Sequence, residues 1–245
     1  MDTIIKISQS QTELAWDLAR EMAEMINNAG RRGKTISIAL SGGSTPKLLF
    51  SILGDNFSDS VMWKYVHFFW GDERCVSPED PESNYGMTKN ALLSKISIPS
   101  SNIHRIQGEK DPEKEAVRYS KLISRFTRER EGSPVFDLIF LGLGEDGHVA
   151  SIFPDQNHLL TSEKICEVAF HPVSKQKRIT LTGKIINNAD NIVFLVTGTY
   201  KAEMVSQIIE SPGIVDYPAV YIEPVHGVLK WYLDIDAASM LNQWA

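Results

Sequence analysis

Residues 134–154 read PVFDLIFLGLGEDGHVASIFP, and the architecture of the chain follows from them. Val135 to Leu141 is an apolar run interrupted only by Asp137, with the length and β-branched content that predict a buried strand of a parallel sheet. Gly142, Gly144 and Gly147 come straight after it and end the strand in a tight loop at the carboxyl edge, where open α/β sheets bind ligands. That loop presents Glu145, Asp146 and His148. A carboxylate two residues before a histidine can hold or bias the imidazole, so His148 with Asp146 is a candidate general base.

Two other readings compete for these residues. The three glycines match G-x-G-x-x-G, the dinucleotide-binding fingerprint. Against it, Glu145 and Asp146 would sit inside the pyrophosphate cradle, and Pro154 cuts short the helix that ought to follow. The other is a solvated loop whose histidine does nothing, and two more loops of the same kind weigh against that.

Lys34 to Leu40 (KTISIAL) predicts a short strand leading into SGGSTPKLLF. There Gly42 and Gly43 permit a turn, Ser44 or Thr45 can cap, and Pro46 suits the first position of a helix. Free amides at such a helix start favour a phosphate, although a plain capped turn fits the same residues. No G-x-x-x-x-G-K-[ST] spacing is present, which disfavours nucleoside triphosphate chemistry. Tyr65 to Trp70 (YVHFFW) is an aromatic strand that ends in Gly71-Asp72-Glu73-Arg74. Those three charges are either a solvated loop or a polar cluster in which Asp72 and Glu73 orient a base or sugar hydroxyl and Arg74 meets a developing negative charge. The Pro- and Ser-rich stretch after them, VSPEDPESNYGM, predicts a loop arching over the edge, with Ser83 or Asn84 capping a helix through Leu93.

Elsewhere, Gln11 to Asn28 predicts a packing helix stopped at Gly30, and Pro112 to Arg130 a charged helix with Val117, Leu122, Ile123 and Phe126 facing the core. Ile103 to Ile106 and Ile179 to Thr182 predict short strands, and Lys184 to Ala189 a short helix. Arg178, just before one of these strands in an acidic protein, is a candidate anion ligand. Asn191 to Thr197 (NIVFLVT) is a buried strand, after which Lys201 falls in the first turn of a helix. A cation there opposes the helix dipole by a few tenths to about 1 kcal/mol and so invites an anionic partner. Val228 to Asp234 predicts a closing strand and Asp236 the cap of a helix over Ala237 to Leu241.

The net charge of −6 weighs against a nucleic-acid surface, and no segment offers the roughly 18 apolar residues of a membrane span. Cys75 and Cys166 stand far apart, and with His158 and His171 they show no metal-ligand spacing. Reduced thiols in a cytoplasmic compartment, without a structural zinc, are expected. The start MDTIIKIS has no basic segment followed by an apolar one, so no secretory signal is expected. With no internal repeat or linker, residues 1–245 are expected to form a single domain. The sequence carries no signal for oligomeric state.

Taken together, SGGSTP, FFWGDERCVSPEDPESNYGM, DLIFLGLGEDGHVASIFP, RITLT, TGTYKAEM and WYLD resemble the glucosamine-6-phosphate isomerase/6-phosphogluconolactonase family over nearly the whole chain. The resemblance implies an α/β three-layer sandwich of the sugar-phosphate isomerase type, a mostly parallel sheet with helices on both faces. It implies hydrolysis of 6-phospho-D-glucono-1,5-lactone to 6-phosphogluconate, in the oxidative branch of the pentose phosphate pathway, with a sugar-phosphate lactone as partner and no metal or organic cofactor. Joined to the residue reading, it gives His148 as general base biased by Asp146, and Arg74 at the tetrahedral oxygen with Asp72 holding it or the sugar. Gly42, Gly43, Ser44, Thr45, Arg178 and Lys201 are then expected to grip the phosphate.

The sugar-phosphate deaminases of the same group are the close rival. They resemble this chain less at two positions: an aromatic stands where this chain has Arg74, and Phe-Asn-Glu-Pro where it has Ser151-Ile152-Phe153-Pro154. Opening an amino-sugar ring needs the extra acid, whereas a lactone is already an activated ester. A non-catalytic sugar-phosphate sensor would need the cationic grip but not the set Asp72, Arg74, Asp146 and His148.

Overall fold

A computed structural model describes residues 2–242; the outermost limits of the single domain expected over 1–245 lie outside the described residues. The chain opens with β1 (Asp2–Ser8), α1 (Gln11–Arg31), β2 (Ile36–Leu40), α2 (Ser44–Asn56), β3 (Val66–Trp70), β4 (Asp72–Arg74) and α3 (Asn84–Thr88). Then come α4 (Pro112–Phe126), β5 (Arg128–Arg130), β6 (Ser133–Val135), β7 (Leu138–Leu141), α5 (His158–Thr161) and β8 (Cys166–Phe170). It closes with β9 (Lys177–Leu181), α6 (Gly183–Asn187), β10 (Asn191–Val196), α7 (Ala202–Glu210) and β11 (Val228–Asp234).

Six strands form one sheet in the order β1-β11-β10-β7-β2-β3, and every neighbouring pair is parallel. Parallel strands are buried on both faces, which is why β7 and nearly all of β2 and β10 are buried apolar residues. With right-handed crossovers, connections running toward β3 put α1 and α2 on one face, where they pack on each other. Those running back toward β1 put α4 to α7 on the other, where α4 covers the small antiparallel sheet β4-β9-β8. The fold is thus a three-layer α/β sandwich. The core is one continuous apolar cluster, with Phe194 and Trp231 stacked on neighbouring strands at 4.1 Å between ring centroids.

The order of strands locates the site. β2 leads through α2 to β3 on one side, and its neighbour β7 leads to β10 on the other. The connections leaving β2 and β7 thus run in opposite directions, which opens a crevice between the carboxyl ends of these parallel strands.

Several local expectations are corrected. The run Val135 to Leu141 is two strands, because Asp137 turns its carboxylate onto β2. Its Oδ2 accepts from the Ser37 amide at 2.8 Å and hydroxyl at 2.9 Å. α1 passes through Gly30 to Arg31, since that glycine is a close contact for Met62 and Tyr65 and not a stop. α2 starts at Ser44, so Pro46 is its third residue. α4 ends at Phe126, and Val117 on it is 56 % exposed, its core positions being Ala116, Tyr119 and Ile123. Ile103 makes a lone bridge to Phe68 instead of a strand. Ala237 to Leu241 is a run of turns in which Asp234, not Asp236, accepts from the Ala237 amide at 2.8 Å. Strand β1 is an addition to the elements expected from the sequence. Among the described residues no helix is long and apolar enough to cross a membrane.

Candidate active site

A cavity of about 220 Å³ lies at the carboxyl ends of β2, β3, β7 and β10. The expected residues Gly42, Gly43, Ser44, Thr45, Asp72, Arg74, His148, Arg178 and Lys201 all line it, and Asp146 stands behind His148. The three loops singled out in the sequence therefore meet at one place.

The loop after β7 closes on itself, the Gly144 amide donating to the His148 carbonyl at 2.9 Å. The His148 ring lies directly on Gly144, where an added Cβ would come within 2.0 Å of Nδ1. Only glycine fits beneath the imidazole. Asp146 Oδ1 accepts from the His148 amide at 3.1 Å and lies 2.5 Å from Nδ1. A carboxylate has no proton to give, so Nδ1 carries the hydrogen and Nε2 is left as the basic nitrogen. Burial alone would raise the Asp146 carboxyl, but its hydrogen bond to His148 and the imidazole charge prevail and lower it to about 2. No helix starts in this loop, the next α-helix being the short α5 at His158, which removes the dinucleotide reading, since that fingerprint presents pyrophosphate to a helix start.

At the start of α2, Gly43 adopts φ 106°, a conformation that side chains rarely allow, and no side chain caps the helix. The first-turn amides there are the kind of donor an anion takes. Thr45 is buried, its hydroxyl 2.9 Å from that of Thr197, which ties the start of α2 to the end of β10. Lys201 ends a single 3₁₀ turn ahead of α7. It is only 6 % exposed and makes no ion pair among the described residues. Burial lowers its pKa, opposed by the charges of Glu145 and Asp146.

β4 and β9 place Arg74 and Arg178 directly opposite each other. Like charges facing across a strand pair repel, and here both Nε atoms are buried without a hydrogen-bond partner. Arg74 is tethered through Nη1 to the Glu82 carbonyl at 2.8 Å. Arg178 is 8 % exposed over the ring of Phe153; burial, and then Arg74, lower its pKa. Two facing guanidiniums with buried, uncommitted donors are suited to meeting negatively charged groups of a ligand.

Asp72 and Glu73 are buried, so Gly71-Asp72-Glu73-Arg74 is no solvated loop. Asp72 does not hold Arg74: Ser151 Oγ donates to its Oδ2 at 2.7 Å, and Asn84 Nδ2 to its Oδ1 at 3.2 Å. Glu73 turns away from the cavity, toward the backbone of residues 84 and 85. Among the described residues no cluster of His, Cys, Asp and Glu side chains is arranged to hold a metal ion.

The family model for glucosamine-6-phosphate isomerases/6-phosphogluconolactonase matches residues 9–231. The chain belongs to the glucosamine-6-phosphate isomerase/6-phosphogluconolactonase family. Relatives in this family include a 6-phosphogluconolactonase of Aggregatibacter actinomycetemcomitans, 46 % identical over 206 residues that cover 83 % of this chain and 87 % of that protein. One of Haemophilus influenzae is 45 % identical over 84 % of this chain and 88 % of its own. The solved 6-phosphogluconolactonase of Trypanosoma brucei superimposes with a TM-score of 0.87 at 29 % identity, covering 100 % of this chain and 99 % of that one.

Asn84, Ser151, Thr197 and Tyr200 belong to the neighbourhood but are not among the site residues expected from the sequence. Thr197 has the same signal as the others, a polar residue at the end of a buried strand before glycine. Asn84 and Ser151 give no signal as site residues, for they matter only through Asp72.

Proposed function

We propose that the chain hydrolyses 6-phospho-D-glucono-1,5-lactone to 6-phosphogluconate, the lactone-opening step of the oxidative pentose phosphate branch. The lactonase relatives support the substrate, and one observation supports the chemistry. His148 has Nδ1 engaged by Asp146 and Nε2 unengaged, beside a cavity lined by Arg74, Arg178 and Lys201, none of them in an ion pair among the described residues. Nε2 takes a proton from water as its oxygen bonds to the lactone carbonyl carbon. Negative charge then develops on the carbonyl oxygen, where Arg74 offers donors. Collapse of that intermediate breaks the bond from carbonyl carbon to ring oxygen, and the imidazolium returns the proton to the departing alkoxide.

Lys201, Arg178 and the segment Gly42 to Thr45 hold the phosphate. Asp72, fixed on both oxygens, accepts a sugar hydroxyl. The deaminase reading is disfavoured by Phe153, whose ring lies 4.7 Å from that of His148 in the segment where the rival enzymes carry a glutamate. The acidic balance of the chain supports a small-molecule partner over nucleic acid. The free thiols Cys75 and Cys166 support a reducing, cytoplasm-like compartment. The one apolar core of the described residues supports a single domain.

The test is the product. Acid release from the phosphorylated lactone, above the spontaneous rate, is expected without ammonia release from glucosamine 6-phosphate. Ammonia release, or a rate no faster than the spontaneous one, would overturn the assignment.

A further inference from the structure

Glu73 takes no part in the steps above, yet it is one of the most heavily bonded side chains near the cavity. It is 2 % exposed. Its Oε1 accepts from the amides of Arg74 at 2.9 Å and Asn84 at 2.8 Å, and its Oε2 from the Tyr85 amide at 2.8 Å and Ser83 Oγ at 3.1 Å. Three of these four donors belong to residues 83–85. Ser83 Oγ in turn accepts from the Gly86 amide at 3.0 Å and caps α3. The one carboxylate thus fixes how the returning loop re-enters the sheet edge. Burial raises its pKa in spite of the three backbone hydrogen bonds.

What the anchored segment delivers is Asn84. Its Nδ2 donates to the Asp72 carbonyl at 3.0 Å as well as to the Asp72 carboxylate. Its Oδ1 fills the space above Gly42, where an added Cβ would come within 1.9 Å. Asn84 therefore touches an acceptor carboxylate of the cavity and the glycine turn ahead of α2. Its backbone is set by Glu73.

We propose that Glu73 is a positioning residue of the reaction: by anchoring residues 83–85 it sets Asn84 between Asp72 and Gly42, and so aligns the sugar-hydroxyl acceptor with the phosphate turn. This rests on the lactonase assignment above. A glutamine at 73 would offer one oxygen in place of two and turn an amide toward backbone donors, while an aspartate would keep the charge but fall short by one methylene.

The experiment compares wild type, Glu73→Gln, Asn84→Ala and the double variant on the phosphorylated lactone, with melting temperatures for each. Glu73→Gln is expected to lower kcat/KM by about 10- to 100-fold, as sub-ångström misplacement does. Both KM and kcat should move, because Asn84 touches both ends of the site. In the Asn84→Ala background the same change should have little further effect, since the two act in series. Glu73→Asp should show the same loss, and it decides the matter if Glu73→Gln does not fold. A lowered melting temperature with kcat and KM unchanged, or fully multiplicative effects in the double variant, would overturn the proposal. A wild-type protein that does not open the lactone would instead overturn the lactonase assignment.

Discussion

His148 depends on two small facts of sequence, the acid two residues before it and the glycine four before it. Asp146→Asn keeps the size but replaces the carboxylate at Nδ1, so the wrong tautomer becomes accessible. kcat is expected to fall by about 10² or more with KM little changed, as steady-state kinetics would check; an unchanged kcat would mean that Asp146 does not bias the ring. Gly144→Ala must push the imidazole aside, because the added methyl overlaps Nδ1. It should cost turnover on a similar scale, about 10²-fold. The spacing of Asp146 and His148 is local, and so the sequence alone displays it. The bond from Ser151 to Asp72 joins residues 79 apart in the chain, and no local pattern encodes it.

The antiparallel pair β4 and β9 is built against its own electrostatics, with Arg74 facing Arg178. In the ligand-free protein this should cost stability. Arg178→Met keeps the length, removes one buried charge, and is expected to stabilise the free protein by about 0.5–2 kcal/mol. At about 2–4 °C per kcal/mol for a chain of this size, melting scans without phosphate would show the rise. Added inorganic phosphate should stabilise wild type more than the variant, and a lowered melting temperature in the variant would argue that Arg178 is structural. These strands are only half legible in the sequence. Arg178 stands out by its charge, but Asp72-Glu73-Arg74 is compatible with a solvated loop, since three charges in sequence carry no record of the strand that pairs with them. Likewise Asp137 shows in the sequence only as one acid within an apolar run, because the Ser37 groups it bonds come from another strand.

The sheet separates chemistry from stability along its length. Catalytic groups collect at the carboxyl ends, while His67 and His104 pack near the amino end of β3, Nδ1 of one lying 2.8 Å from Nε2 of the other. Burial, with the charges of His67 and Arg118, lowers His104 to about 4. Its folded value thus lies below the unfolded value near 6.5. As pH falls from about 6.5 toward about 4 the unfolded chain takes up a proton that the folded one refuses, so stability is full above that window and lost going down through it. About 1–2 kcal/mol should be gone by about pH 5, and melting temperatures at about pH 7.5 and 5 would show it. His104→Phe should flatten that dependence; an equal slope in the variant would place the acid sensitivity elsewhere.

The α/β class is legible from buried runs that each end in glycine and charge. The strand order is not, because β1 pairs with β11 across almost the whole chain and only three dimensions reveal that β2 and β7 are neighbours with diverging connections. It is that adjacency which turns three separate loops into one cavity. Whether the cavity works as described comes down to turnover of the phosphorylated lactone by His148→Ala, corrected for spontaneous opening. A fall in kcat of about 10² to 10⁴ with KM little changed is predicted, whereas wild-type turnover in the variant would contradict the account.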